Sequence, residues 1–166
     1  MPISDRIGTT KQSGFSLIEL LIVVAIILII AAIAIPNLLR SRMAANEASA
    51  VGSIRSLNTA AVGYSSTYPG SGYPASLAAL SGANPCTALS TNACLIDAVL
   101  AAGSKAGYTF LYLPLLADGA GHFTTYSVNA NPKVLGSTGR RFFYADQTAV
   151  IRQNYTAAAV AGDPAI

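Results

Sequence analysis

Charged residues are scarce in this sequence. They make up 10% of its 166 residues, and the formal net charge is only +3. So small an excess of positive charge argues against nucleic acids or acidic substrates as specific partners. Like charges adjoin only at Arg140-Arg141, and a short pair of this kind predicts a solvated surface.

Histidine and cysteine are also scarce, which limits the chemistry available. The chain has one histidine, His122, and two cysteines, Cys86 and Cys94, which are too few side chains for a four-ligand metal shell. The sequence contains no nucleophile motif and no glycine-rich phosphate loop before a helix. His122 stands beside a turn signal and is predicted to be a surface residue. We therefore expect no enzymatic activity, no cofactor and no metal site.

Apolar residues are what the sequence has in excess. They make up 52% of it, the mean hydropathy is +0.50, and the run 15–35 accounts for much of this. A helix of about 21 residues spans roughly 31 Å, close to the thickness of a bilayer core. Arg6 and Lys11 outnumber Asp5 before the run. The positive-inside rule therefore places the N-terminus in the cytoplasm and the rest of the chain outside.

Two ordinary explanations of this run are a secretory signal and a plain anchor. Ala32-Ile33-Ala34 fits the small-x-small pattern, and cleavage after Ala34 would release an exported soluble binding domain. Against this, the run is longer than the roughly 7–15 residues of a signal core, and it contains Glu19. A plain anchor fits the length but gives Glu19 no partner, although an acid at mid-membrane costs about 3 kcal/mol and is usually functional.

A third explanation rests on "GFSLIEL", residues 14–20. This stretch resembles the processing site of type IV pilins and of the pseudopilins of type II secretion systems. Their pattern is a short basic leader ending in glycine, then phenylalanine, then an apolar helix with glutamate as the fifth residue after the cut. Here the cut would fall between Gly14 and Phe15, and Glu19 is that fifth residue. Pro36 stands where such helices often carry a proline, and it predicts a kink or a locally melted stretch rather than an end of the helix.

The resemblance implies a route from membrane to filament. A prepilin peptidase in the inner membrane would cut after Gly14 and methylate the new amine of Phe15. Glu19 would then pair with that amine, either on a neighbouring subunit or on its own chain four residues back, and the sequence leaves both pairings open. The implied partners are further copies of the chain, the peptidase, the inner membrane and the pilus assembly machinery. No specific binding of nucleic acid is evident.

Two roles within the family compete. A type IV pilus subunit would form an extracellular filament for adhesion, twitching motility or DNA uptake, whereas a pseudopilin would form a periplasmic filament for type II secretion. The long variable stretch 68–105 favours the surface pilin, and the small size and lack of an obvious C-terminal disulfide favour the pseudopilin. We favour the surface pilin, with the pseudopilin and the exported domain as alternatives. The implied organisation is a cleaved leader (1–14), a transmembrane and filament-core helix (15–35), an amphipathic half of the same helix (36–66) and a globular head (67–166).

Beyond Pro36 the sequence keeps a helical period to about Ser65. Apolar side chains recur at spacings of three or four, which predicts one buried face, and they are Val51, Ile54, Leu57, Ala61 and Tyr64. This stripe is predicted to pack on a sheet. The charged side chains are expected to lie off the stripe, and they are Arg40, Arg42, Glu47 and Arg55.

The second half of the head predicts four antiparallel strands within residues 107–153. "GYTFLYLPL" alternates, "ADGAGH" is a turn, "FTTYSVNA" is the returning strand, and "RRFFYA" and "TAVIRQN" form a second pair. The fold class is therefore α+β, with the long N-terminal helix packed on a four-stranded antiparallel sheet, an order that resembles a pilin head. The tail 155–166 shows no strong pattern and is expected to be loose.

The segment before the strands carries both cysteines. Cys86 and Cys94 are predicted to form one disulfide, because a segment outside the membrane lies in an oxidising compartment. Closing this loop contributes about 2.6 kcal/mol in the chain-entropy account. On either side, "ASLAALSG" and "CLIDAVLAAG" predict short helices that end at Gly82 and Gly103.

Overall fold

A computed structural model describes residues 14–83 and 85–166. The predicted leader, except Gly14, lies outside the described residues, and so do the basic residues used to orient the chain. By internal contacts the chain divides into two compact units, Met1–Leu38 and Leu39–Ile166, and each is described by itself.

One helix dominates the chain. Helix α1 runs from Leu17 to Thr67 and contains Pro36, so the predicted long helix is confirmed to within about two residues at each end. Apart from Glu19, residues 17–35 are all Leu, Ile, Val or Ala, whose apolar side chains suit a helix in an apolar environment. After Thr67 the amide of Tyr68 still donates to the carbonyl of Tyr64 at 2.8 Å, and Pro69 then stops further helical hydrogen bonding.

Five antiparallel strands form one sheet in simple sequence order. The prediction of four strands was one short, because it missed the two-residue strand β1. A two-residue strand shows no alternation, and only its turn, Ala106-Gly107 with φ of 48° and 73°, marks the hairpin to β2. The strands are β1 (Ser104–Lys105), β2 (Tyr108–Ala117), β3 (Phe123–Pro132), β4 (Phe142–Asp146) and β5 (Arg152–Asn154).

The core of the head lies between one face of α1 and one face of the sheet. Alternate residues of β2 and β3 supply the sheet side, and the register pairs Phe110 with Ala130. On the helix side, the predicted stripe is confirmed by the burial of Ile54 and Leu57. Each such side chain contributes roughly 1.5–3 kcal/mol by leaving water. The largest fully buried side chains are those of Tyr108, Tyr126, Phe143, Ile54, Leu57, Leu80, Leu100, Val128 and Pro74.

Tyrosines fill much of this core. The rings of Tyr112 and Tyr126 stack with centroids 5.5 Å apart, and Tyr73 meets Tyr126 edge-on at 4.8 Å. The hydroxyl of Tyr126 donates to Oδ1 of Asn58 on α1 at 3.1 Å, which ties helix to sheet. Burial raises the pKa of Tyr112 and of Tyr126 well above the usual range, so both hydroxyls stay neutral.

Two charged residues contradict the predicted pattern. Glu47 is 8% exposed, and its Oε2 accepts from Nε of Arg141 at 2.7 Å. Its Oε1 accepts from the backbone amide of Arg140 at 2.8 Å. The expectation that Glu47 lies off the stripe was wrong, because it precedes Ile54 by seven residues and shares its helical face. The predicted solvated surface holds for Arg140 but not for Arg141, whose guanidinium also lies over the ring of Phe143 at 5.3 Å.

The C-terminal tail is ordered, contrary to the expectation of a loose end. The amide of Ile166 donates to the carbonyl of Ile151 at 3.0 Å, and the Arg152 side chain donates to the carbonyl of Asp163 at 2.8 Å. Asn129 on β3 donates to the carbonyl of Ala159, also at 2.8 Å. Backbone carbonyls rather than a periodic apolar face hold this segment, so no hydrophobic pattern announced it.

The segment between α1 and the sheet holds the disulfide and two short helices, α2 (Leu77–Leu80) and α3 (Ala98–Ala101). Cys86 and Cys94 are bonded, with Cα atoms 6.2 Å apart. Gly82 packs directly on the bridge, since a Cβ there would collide with Sγ of Cys86. Asp97 caps α3: its carboxylate accepts from the amide of Leu100 and from Lys105, and these bonds lower its pKa.

Candidate functional site

The apolar half of α1 has no cover in the described chain. An 18-residue window of this helix has a mean hydropathy of 3.3 with none of it buried. Ile27 and Ile35 are each 57% exposed, and the side chains between them are similarly open. A continuous apolar surface of this length is stable in a bilayer or against other apolar helices, and not in water.

The predicted processing site lies just ahead of the helix. Gly14, Phe15 and Ser16 are non-helical and exposed, and the first intrahelical bond joins the amide of Leu20 to the carbonyl of Ser16 at 3.2 Å. A Cβ on Gly14 would meet no atom within 4 Å. Within the described residues, the fold of the chain leaves room for a side chain at this position and does not itself require glycine there.

Glu19 lies in the first turn of α1 and is exposed. The helix dipole favours a carboxylate at this end. Across residues 14–83 and 85–166, the ion pairs found do not include Glu19. Its predicted partner, the amine of Phe15, exists only after the chain is cut, so the pairing stays a prediction.

Pro36 lies inside α1, and helical residues continue on both sides of it. Its missing N–H leaves the carbonyl of Ala32 without the usual backbone partner. The helix does not end at this residue, as the sequence predicts, and the kink itself stays a prediction.

Comparison with known protein families identifies a processing motif at this N-terminus. Residues 9–35 match the family model of the prokaryotic N-terminal methylation motif. The chain carries this motif. The resemblance that "GFSLIEL" indicates is thereby confirmed for the N-terminal region.

A curated relative is similar to this chain over the N-terminal region. The chain is 62% identical over 37 residues to the type IV wide pilus major component PilA4 of Thermus thermophilus. The match covers 22% of this chain and 28% of that protein, so it spans less than a third of the relative's length. No solved structure matches the chain.

The match to the methylation motif ends before the buried face of α1 begins. It stops at residue 35, and the first buried side chain of α1 is Glu47. Among the described residues, the matched segment therefore includes the exposed, apolar part of the helix, which supplies nothing to the head core. Phe15, just before the helix, and Glu19, in its first turn, are both exposed and lie within the matched segment.

His122, the one histidine of the sequence, has a structural role in a turn. Nδ1 of His122 lies 3.1 Å from Oδ2 of Asp118 across the β2–β3 turn, with both side chains well exposed. The backbone amide of His122 donates to the Asp118 carboxylate, and this bond lowers the pKa of Asp118. The pair therefore serves the turn, which agrees with the predicted surface position of His122.

Sequence reasoning missed Glu47 as a structural anchor of α1. The signal was present in its spacing: Glu47, Ile54 and Ala61 recur every seven residues on one helical face. A buried carboxylate at such a position needs a cationic partner from another element. The sequence offers several arginines, and the register that selects Arg141 is set only by the folded sheet.

Proposed function

We propose that this chain is a structural subunit of a type IV pilus. It is cleaved after Gly14, methylated at Phe15 and polymerised through α1 into a surface filament for adhesion, motility or DNA uptake. The observation that carries the proposal is a methylation motif on a helix whose apolar half is exposed. The inner membrane holds the precursor, and the prepilin peptidase and pilus assembly machinery are its partners.

The chemistry of assembly follows from Glu19. Cleavage creates an ammonium group on Phe15, four residues before the carboxylate. Among packed apolar helices an unpaired charge is costly, and pairing with the opposite charge offsets much of that cost. A pair formed between neighbouring subunits would favour entry into the filament and fix the register of adjacent helices.

The architecture of the head supports this use of α1. The head core is built from residues between Ala50 and Ile151 and takes nothing from the methylation motif. The apolar half of the helix is therefore available to other copies. A contact between different surfaces of successive copies does not close on itself, so it generates an open fibre.

The pseudopilin alternative is favoured by one feature, the way the C-terminus is secured. Hydrogen bonds such as that from Ile166 to Ile151, rather than a disulfide, hold the tail, and the single disulfide precedes the sheet. Deletion of the gene separates the two roles. Loss of surface fibres supports the pilin, whereas loss of protein secretion with fibres intact supports the pseudopilin.

Substitution of Glu19 tests the filament mechanism. We expect Glu19→Ala to be cleaved normally but to lower fibre yield about tenfold or more, because a close interfacial charge pair is lost. Sheared fibres and membrane-bound subunits are quantified from the same cells. Glu19→Asp is the matched control, since it keeps the charge, and we expect part of the yield to return. Normal fibre yield from Glu19→Ala would contradict the mechanism.

A further inference from the structure

Four exposed basic residues lie toward one end of the unit Leu39–Ile166, and we call them the cationic end: Arg40, Arg42, Lys133 and Arg140. Arg42 lines a cavity of about 310 Å³ together with Gly107 and Thr138. Asn46 joins the same group by donating to the carbonyl of Thr138 at 2.9 Å.

Arg40 precedes Arg42 by two residues on α1. Backbone bonds place the main chain of Lys133 and of Arg140 near the same end, and Arg140 lines a second cavity, with Tyr155. The amide of Lys133 donates to the carbonyl of Gly107, which lines the cavity, at 2.9 Å. The amide of Arg140 donates to Glu47, which follows Arg42 by five residues on α1. All four basic side chains of the cationic end are exposed.

No nearby acid compensates these charges. The two carboxylates at this end, Glu47 and Asp97, are engaged by Arg141 and Lys105 respectively. Over the described ranges, the ion pairs found include none of the four cations. The cationic end therefore carries four positive charges without an ion-pair partner in the described residues, in a chain whose formal net charge is only +3.

Two of these charges closely follow the apolar run of α1 in the sequence. Arg40 and Arg42 follow Ile35, the last residue of the apolar run, by five and seven residues. On a helix this is roughly 8–11 Å, comparable to the polar layer of a bilayer, which is about 5–8 Å on each side. Helical side chains lean toward the N-terminus, which draws both guanidinium groups back toward that layer.

We propose that the cationic end binds the phosphate groups of anionic phospholipids at the membrane surface from which α1 emerges. Arg42 and the hydroxyl of Ser137, at the cavity, supply charge and a hydrogen-bond donor. Lys133 and Arg140 add longer-range attraction to an anionic surface. The proposal concerns the membrane-held precursor and goes beyond the filament role, because it rests only on α1 entering a bilayer.

A second copy of the chain is the less suitable occupant. The acids at the far ends of the strands serve their own turns: Asp118 accepts from two turn amides, and Asp146 accepts from the amide and hydroxyl of Thr148. Asp163 accepts from Asn154 and Val160. The described head thus offers no free acidic patch to match four cations, whereas an anionic membrane does.

Hydrogen exchange of the full chain in lipid nanodiscs tests the proposal. Discs of phosphatidylcholine alone are compared with discs that also contain phosphatidylglycerol. We expect amides of residues 133–140 to exchange about fivefold more slowly with the anionic lipid, the gain that one basic residue makes near such a surface. The remote turn 147–151 should exchange equally in both discs and serves as the internal reference.

A charge-neutral variant supplies the decisive comparison. The combined change Arg42→Gln, Lys133→Gln and Arg140→Gln should abolish the lipid-dependent slowing, and high salt should do the same. Arg55→Gln, which removes an exposed cation elsewhere on α1, should leave it unchanged. An unaltered melting temperature in detergent shows that the triple variant is folded.

Three results would overturn the proposal. Equal exchange in the two kinds of disc would show that no lipid binds. The same slowing by millimolar inorganic phosphate in phosphatidylcholine discs would assign the site to a free anion. Slowing that depends on the number of chains per disc and not on the lipid would assign it to a second copy. None of these readouts requires a filament, so they are independent of the fate of Glu19→Ala.

Discussion

The two halves of helix α1 have the same secondary structure and opposite surroundings. In the first half, Leu28 is 63% exposed and its neighbours are similarly open, whereas in the second half Leu57 is fully buried against the sheet. Each half carries one glutamate. Glu47 finds Arg141 within its own chain, and Glu19 has no such partner in the described residues. The second half is thus completed by folding, and the first requires a membrane or other subunits.

Matched leucine substitutions should produce the largest contrast between the halves. Leu57→Ala removes a fully buried side chain and should lower the free energy of unfolding of the head by about 2–5 kcal/mol. Leu28→Ala should leave that free energy unchanged, since its side chain touches no part of the head core. Chemical denaturation in detergent, followed by tyrosine fluorescence, measures both. Equal losses would mean that the halves are not independent.

Substitution of the two glutamates should also affect the stability of the head differently. Glu47→Ala leaves Arg141 and two backbone amides without their acceptor. We expect it to cost about 2–4 kcal/mol, less than a fully buried pair because the Arg141 side chain is 30% exposed. Glu19→Ala is the control and should not change the melting temperature of the head. A stable Glu47→Ala variant would show that the ion pair does not anchor α1.

Loss of the disulfide should have a somewhat smaller effect, confined to the second half. Cys86→Ser should lower the free energy of unfolding by about 2–3 kcal/mol, because it reopens a short loop in the unfolded chain. Cleavage at Gly14 should be unaffected. Melting curves with and without reductant measure the effect, and the variant should no longer respond to reductant. An unchanged melting temperature under oxidising conditions would argue against a bond between Cys86 and Cys94.

The smallest predicted effect is the pH dependence contributed by Asp97. Its hydrogen bonds to Leu100 and Lys105 lower its pKa, so its stabilising contribution is present above the unfolded-state value near 3.9 and is lost as pH falls through the folded value. The group is half exposed, so the contribution is a few tenths of a kcal/mol. Asp97→Asn keeps the helix cap and removes the charge. Its stability deficit at neutral pH should shrink on acidification, and a constant deficit would contradict the assignment.

The parts of the fold that follow a period were predictable from sequence. The apolar run and the stripe through Ile54 and Leu57 predict α1, and alternation in "GYTFLYLPL" predicts β2. Strand β1 was not predicted, because a strand of two residues shows no alternation of apolar and polar side chains. The order of the C-terminal tail was not predicted either. The tail is held by hydrogen bonds to its backbone carbonyls, such as that from Asn129 to Ala159, and every residue type has a carbonyl.

The N-terminal methylation motif could be recognised from the sequence because its determinants are local. Gly14, Phe15 and Glu19 lie within six consecutive residues, and the match to the methylation motif covers them. Charge pairing was not predictable, because it depends on contacts distant in sequence. Glu47 and Arg141 are separated by 94 positions, and the four residues of the cationic end converge only through the loops around Gly107 and Thr138.

The mass of the N-terminal peptide from cell envelopes tests the central claim most directly. We predict a mature chain that begins at Phe15 and carries one added methyl group. This result would establish the pilin route, and it would show that a new amine exists four residues before Glu19. A chain that begins at Ile35, after cleavage behind Ala34, would contradict the account. The product would then be an exported domain without the helix half that distinguishes this protein, and the assembly role of Glu19 would be abandoned.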